Sequence, residues 1–145
     1  MSGVLWQRCQ CHLQRNAQAY VPCKVMQREV TADIHAIFNT ASRQEAESLL
    51  AKTVQEYATR AAKLADWLEQ YIPEGVAVFA LPDIHRRSLG TTNSLERLNR
   101  EIRRRSRVAT LFPNEASCLR LVTAVVMEIS EDWQTDRTYI RWNNL

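Results

Sequence analysis

One carboxylate, Glu96, enters a helix loaded with arginine: Thr91-Thr92-Asn93-Ser94-Leu95-Glu96-Arg97-Leu98-Asn99-Arg100-Glu101-Ile102-Arg103-Arg104-Arg105. A carboxylate can hold a divalent cation while guanidinium groups grip a phosphate backbone, so the stretch suggests metal-dependent chemistry on DNA. At 100° per residue from Leu95, the apolar residues Leu95, Leu98 and Ile102 fall within about 60° on one side, whereas Glu96, Arg100, Arg103 and Arg107 fall between about 80° and 140°. One face is expected to bury and the adjacent one to carry charge. A plainer reading stays open: Asn93 suits an N-cap with Glu96 at its N3 position, and Glu96–Arg100 and Glu101–Arg105 are ordinary i,i+4 pairs. The arginines would then be a solvated face or a phosphate-binding one. A two-metal phosphodiester site needs several carboxylates, and the residues before this stretch offer Glu96 no convincing partners.

The elements that must position this helix read as mainly α. The chain of 145 residues has three glycines and four prolines, with apolar residues recurring at intervals of three and four, and its length suggests one domain. Leu5 to Cys9 could form a short strand, and His12 to Ala19 a helix stopping before Pro22, where a second helix would begin. Met26, Val30, Ile34, Ile37 and Phe38 would be its buried stripe. Ser42 and Glu45 form a Ser-x-x-Glu capping box opening one long helix through Leu49, Leu50, Val54, Tyr57, Leu64, Leu68 and Tyr71, so this half reads as an antiparallel helical hairpin. Val76 to Leu81 is a strand or an extended linker, closed by Pro82. A helix runs from Asn93 to about Arg107, and Pro113 opens the last one, whose core stripe would be Leu119, Val122, Val126, Ile129 and Trp133. The tail from Thr138 is uninformative.

Charge is concentrated. Residues 1–74 carry 8 Lys/Arg against 8 Asp/Glu, residues 75–107 carry 8 against 3, and residues 108–145 carry 3 against 5, so the net charge of +3 comes from one segment. A basic block of this kind is a local polyanion footprint, and Arg86, Arg87, Arg100, Arg103, Arg104 and Arg107 are its candidate phosphate contacts. No apolar run reaches the roughly 18 residues of a membrane span, and the N-terminus lacks a signal-peptide core, so an intracellular protein with reduced Cys9, Cys11, Cys23 and Cys118 is expected.

Three segments then carry a resemblance: Trp6 to Asn16, Thr91 to Arg100, and Phe112-Pro113-Asn114-Glu115 together resemble the C-terminal part of Mutator-type bacterial insertion-sequence transposases. The likeness covers nearly the whole chain in the right order. It implies the C-terminal remnant of an RNase H-like α/β catalytic domain with its helical insertion, and at most one or two short strands. Residues 1–145 would be a single partial catalytic domain, with a Cys-x-x-His segment at 1–16, the insertion at 17–75, and the basic Glu96 helix and C-terminal helix at 76–145. Glu96 matches the family's catalytic, metal-binding glutamate, Cys9 and His12 match its Cys-x-x-His signature, and Asn93 and Asn99 belong to the motif around the glutamate. The metal implied is Mg²⁺. The partners implied are DNA at element ends and targets, with full-length transposase or a second copy, and no membrane; the place implied is the bacterial cytoplasm at the nucleoid.

The departures shape the functional expectation. The family's two aspartates should lie upstream of Trp6, where only five residues stand. Asp33 and Asp66 read instead as exposed helix residues, and Asp83 as a loop residue. The chain is therefore expected to begin after the aspartates and after the N-terminal DNA-binding region, to be inactive in transposition alone, and to leave apolar helix faces uncovered so that it self-associates or needs a partner. Gly90 stands where relatives often carry a basic residue. Zinc at Cys9, Cys11, His12 and Cys23 is disfavoured because adjacent Cys11 and His12 cannot easily ligate one tetrahedral ion, so Cys9 and His12 are read as structural, or as supporting the catalytic face. Two other functions remain: a non-catalytic regulator that binds element DNA or transposase, and a generic helical DNA-binding module.

Overall fold

The structure, a computed structural model, describes residues 6–108 and 112–135. Among them are seven α-helices, three 3-10 turns and no strand: α1 Gln10–Ala17, α2 Met26–Phe38, α3 Arg43–Arg60, α4 Ala62–Tyr71, α5 Asp83–Leu89, α6 Asn93–Val108 and α7 Glu115–Thr135. The mainly α expectation holds. The chain divides into two compact units, residues 1–91 and 92–145. No helix among the described residues is long and apolar enough to cross a membrane.

The first unit closes around the expected helical stripes. Val30, Ile34 and Ile37 of α2 are fully buried beside Leu13 and Ala17 of α1, Tyr57 of α3, and Leu64 and Leu68 of α4. The capping box forms with a shifted partner: Ser42 Oγ accepts from the Glu45 amide at 3.2 Å, while the Glu45 carboxylate accepts from Ala41 N at 3.1 Å. Buried Tyr57 donates its hydroxyl to Asp33 at 2.5 Å, which satisfies a polar atom inside the core. Asp33 is accordingly half-buried, contrary to expectation, whereas Asp66 is exposed. Burial first, and the Asp33 carboxylate second, push the Tyr57 hydroxyl's pKa up.

The expected single helix from Ser42 to Tyr71 is two helices. It breaks at Ala61 (φ −156°, ψ 66°), and α4 packs against α3. No glycine or proline marks the break, and the apolar stripe runs through it in phase. The reason is tertiary: 29 helical residues would span roughly 43 Å, whereas a unit of this size is roughly 30 Å across, so only a break returns Leu64 and Leu68 to the core that holds Tyr57. Beside the break, Arg60 grips Glu29 of α2 at 2.7 and 3.0 Å and Glu56 at 3.0 Å.

Other boundaries also differ. Residues 6–9 form no strand, although Arg8 N donates to Glu74 O at 2.9 Å, and Leu5 lies outside the described residues. The helix expected at Pro22 starts at Met26, after a turn in which Met26 N donates to Cys23 O at 3.2 Å. Val76 to Leu81, read as strand or linker, contains the 3-10 turn Ala77–Ala80. Its amides find local partners, Phe79 N on Val76 O at 3.1 Å and Leu81 N on Val78 O at 3.0 Å, so Val78 and Phe79 bury without a sheet. Asp83, read as a loop residue, is the first of α5. The last helix opens at Glu115 rather than Pro113, capped by Asn114, whose Oδ1 accepts from Ser117 N at 2.9 Å.

In the second unit α6 and α7 pack on each other, and Val125 is the fully buried residue among those described. Leu98 and Ile102 of α6 and Leu121, Val122, Ile129 and Trp133 of α7 are half-buried. Leu95, Leu119 and Val126, expected in the core, are exposed by 55%, 66% and 40%. Two helices share one line of contact, too narrow to cover a stripe about 100° wide, so residues at its edge stay in water.

Gly75 is a packing constraint in the first unit. A Cβ there would stand 2.7 Å from Leu13 Cδ1 and from the Phe38 ring. Gly75→Ala is expected to destabilise that unit by about 1–3 kcal/mol through overpacking. Chemical denaturation showing no shift in midpoint would contradict this.

Candidate nucleic-acid interface on the Glu96 helix

The start of α6 is capped by Thr92, one residue earlier than sequence suggests. Thr92 O accepts from Glu96 N at 2.9 Å, and Thr92 Oγ1 donates to Glu96 Oε1 at 3.0 Å, so the carboxylate is held toward the helix start. Asn93 is then the first helical residue and not the cap. Both Glu96 and Asn99 are exposed. With Arg100, Arg103, Arg104 and Arg107 they line an open depression of about 610 Å³ on the second unit.

The half-buried residues of α6 (Ser94, Leu98, Glu101, Ile102, Arg105 and Ser106) lie on one side of the helix and Arg100, Arg103 and Arg107 on the other, with Arg104 at the edge between them. The arginine face is thus presented outward. Arg104 is 65% exposed although it pairs with Glu101 at 2.6 Å. Arg105, which was not among the candidates, joins the helices instead. Its guanidinium donates to Glu101 at 2.8 Å and to both oxygens of Glu128 on α7 at 2.5 and 2.7 Å. The i,i+4 spacing showed the first of these bonds; nothing local showed the second.

These bonds set the titration of the face. Hydrogen bonds from Arg104 and then Arg105 pull the Glu101 carboxyl down from its ordinary 4.5 to about 2, and the Arg105 bond lowers Glu128.

The remaining candidates fall in the first unit. Cys9 is buried at the N-cap of α1, where its carbonyl accepts from Leu13 N at 3.0 Å, while His12, Cys11 and Cys23 are exposed. Arg86 is engaged within its own unit: it donates to the carbonyls of Leu81, Ala41 and Phe79 at 3.0, 3.1 and 3.3 Å, pairs with Asp83 at 2.9 Å, and lies over the Phe79 ring. Arg87 is exposed.

Sequence reasoning missed the polar clamp made by Gln7, Arg8 and Gln10. Gln7 Nε2 and Gln10 Nε2 both donate to Gly75 O, at 3.1 and 2.9 Å, and Gln7 Oε1 accepts from Val78 N at 2.6 Å. Gln10 N donates to Gly90 O at 2.9 Å, and a Cβ on Gly90 would meet Gln10 Oε1 at 2.8 Å. Glycine at position 90 therefore suits the Gln10 side chain.

A Mg²⁺ site takes several oxygen ligands in octahedral array. Among the described residues no group of three or more His, Cys, Asp or Glu side chains could hold a metal ion. Glu96 supplies one carboxylate, which does not make a Mg²⁺ site by itself.

The chain thus presents an outward arginine face beside a carboxylate held by Thr92. It belongs to the Mutator family of transposases, whose family model matches residues 1–136. It is 48% identical over 143 residues to the transposase for insertion sequence element IS406 of Burkholderia multivorans, covering 99% of this chain and 37% of that protein. It is 38% identical over 140 residues to the transposase for ISRM5 of Rhizobium meliloti, covering 97% of this chain and 35% of that one. With the transposase for IS256 in transposon Tn4001 of Staphylococcus aureus the identity is 34% over 151 residues, covering 98% and 37%. The chain spans little more than a third of the length of these relatives. No solved structure matches it.

The acid response of the second unit follows from Glu101. A folded-state pKa below the ordinary value means that its contribution is complete above about pH 4.5 and is lost as pH falls toward 2. The melting temperature of the α6–α7 unit is expected to fall across that window, and Glu101→Gln to flatten the fall. A wild-type profile that stays level from pH 5 to 2 would contradict this assignment.

Proposed function

We propose that this chain takes part in DNA transposition, with the outward arginine face of α6 gripping phosphates of element or target DNA. Glu96 is its contribution to the Mg²⁺-binding carboxylates of an RNase H-like DDE centre, whose other carboxylates come from outside the described residues. The observation that carries this reading is the joint placement of Glu96, Asn99, Arg100, Arg103, Arg104 and Arg107 around one depression on α6, in a chain of the Mutator transposase family. Arg87 is a further phosphate contact; Arg86, engaged as it is, acts by shaping the fold. The setting is the bacterial cytoplasm, where element DNA is found.

The physics is that of counterion release. Each phosphate neutralised by an arginine frees condensed cations, so affinity falls with salt in proportion to the number of phosphates engaged. Guanidinium groups suit this role because their planar donors match phosphate oxygens two at a time.

The arginines give the test. Arg103→Glu with Arg107→Glu is expected to weaken duplex DNA binding and to reduce the slope of log affinity against log salt by roughly 2, about 0.9 for each phosphate no longer neutralised. Both side chains are exposed, so the unfolding curve should stay in place. Unchanged affinity and slope would remove α6 from the DNA interface. For the carboxylate set, the chain assayed alone with Mg²⁺ and element-end DNA is expected to show no strand transfer. Robust transfer would refute the need for further carboxylates.

A further inference from the structure

The first unit carries an aromatic column that runs from its core, at Trp67, to its surface, at Tyr20. Tyr20, at the end of the 3-10 turn Gln18–Tyr20, stacks on Trp67 of α4 with ring centroids 5.6 Å apart and planes at 27°. Trp67 meets Tyr71 one turn further on at 5.3 Å. Arg8 closes the column, its guanidinium carbon 5.5 Å from the Tyr71 ring centroid, and is held there by Glu74 at 3.0 Å. Trp67 is only 6% exposed, whereas Tyr20 keeps 43% of its surface in water. Tyr20 is thus braced by a buried ring while much of its own surface stays in water.

The chain segment that carries it is basic. Residues 6–28, which include Tyr20, hold Arg15, Lys24 and Arg28, besides Arg8 paired with Glu74, and no aspartate or glutamate; Glu29 follows. Lys63, also exposed, lies one turn before Trp67 on the same side of α4. Pre-positioned aromatic rings bordered by cations are the general means of holding nucleic-acid bases released from pairing, because every base has a π face and stacking needs no sequence readout.

We propose that Tyr20 is a stacking platform for an unpaired DNA base, with the neighbouring cations taking the adjoining phosphates. This rests on the reading that the chain handles DNA, and not on the α6 face. A base that leaves the duplex finds on Tyr20 a partner already immobilised by Trp67, so little ordering is needed on binding.

The experiment uses the full chain and fluorescence anisotropy with three labelled duplexes: fully paired, carrying one bulged thymine, and carrying an abasic residue in place of that thymine. The bulged duplex is expected to bind roughly 5- to 100-fold tighter than the abasic one. Tyr20→Ala should bring the ratio to about one, and Tyr20→Phe should retain it. The Arg103→Glu, Arg107→Glu variant should weaken all three duplexes and keep the ratio. A ratio of one in the wild-type chain, or one that survives Tyr20→Ala, overturns the proposal. So does a ratio lost equally in Tyr20→Phe, since the ring is retained there. If the arginine variant binds like wild type while the ratio persists, the α6 reading fails and the Tyr20 platform stands.

Discussion

The first unit depends on the close approach of two helices to one backbone position. Leu13 and Phe38 pack where a side chain at residue 75 would stand, and the carbonyl of Gly75 receives the amides of Gln7 and Gln10. Apolar contact on one side and hydrogen bonding on the other fix the segment between α4 and α5. The neighbouring 3-10 turns can then bury Ile72, Val76, Val78 and Phe79 without a sheet to receive them. Gln10 extends the same clamp to Gly90, two residues before the Thr92 cap of α6. The Trp6-Gln7-Arg8-Cys9-Gln10 motif thus does much of its work through glutamine amides and backbone.

What the sequence made legible was local and periodic. The α2 stripe is visible because Val30, Ile34 and Ile37 repeat at helical spacing, and the Ser42 box because its partners are three and four residues away. The Ala61 break left no local sign, since it answers to the length of the whole unit. Hydrogen bonds across 65 to 71 residues, such as Gln10 with Gly75 and Gln7 with Val78, have no periodic trace. Leu119 and Val126 show a subtler limit: periodicity marks an apolar side of a helix but not which row on it meets a neighbour. Val125, one residue along from Val126, took the buried place.

The candidate site divides along the same line. That Glu96 and the arginines at 100, 103 and 107 share a side of α6 follows from 3.6 residues per turn. That Thr92 holds the carboxylate, and that Arg86 is engaged by the Ala41 and Phe79 carbonyls, depends on cap choice and on chain reversal, which only the folded structure fixes. Family resemblance, and not helix geometry, is what singled out Glu96 as a candidate catalytic residue. The described residues place an arginine face around it and no group of three or more side chains that could hold a metal ion.

Glu101 stands between the two roles of α6. It pairs with Arg104, which looks outward, and with Arg105, which ties α6 to Glu128 on α7. Glu101 and Arg105 both belong to α6, and the bond that crosses to α7 is that of Arg105 with Glu128. Arg104, Glu101, Arg105 and Glu128 therefore form one chain of ion pairs that runs from the solvent-facing side of α6 to the joint between the two helices. Groups that share partners in this way do not act independently, so the exposed arginine and the helix joint are coupled through a single carboxylate.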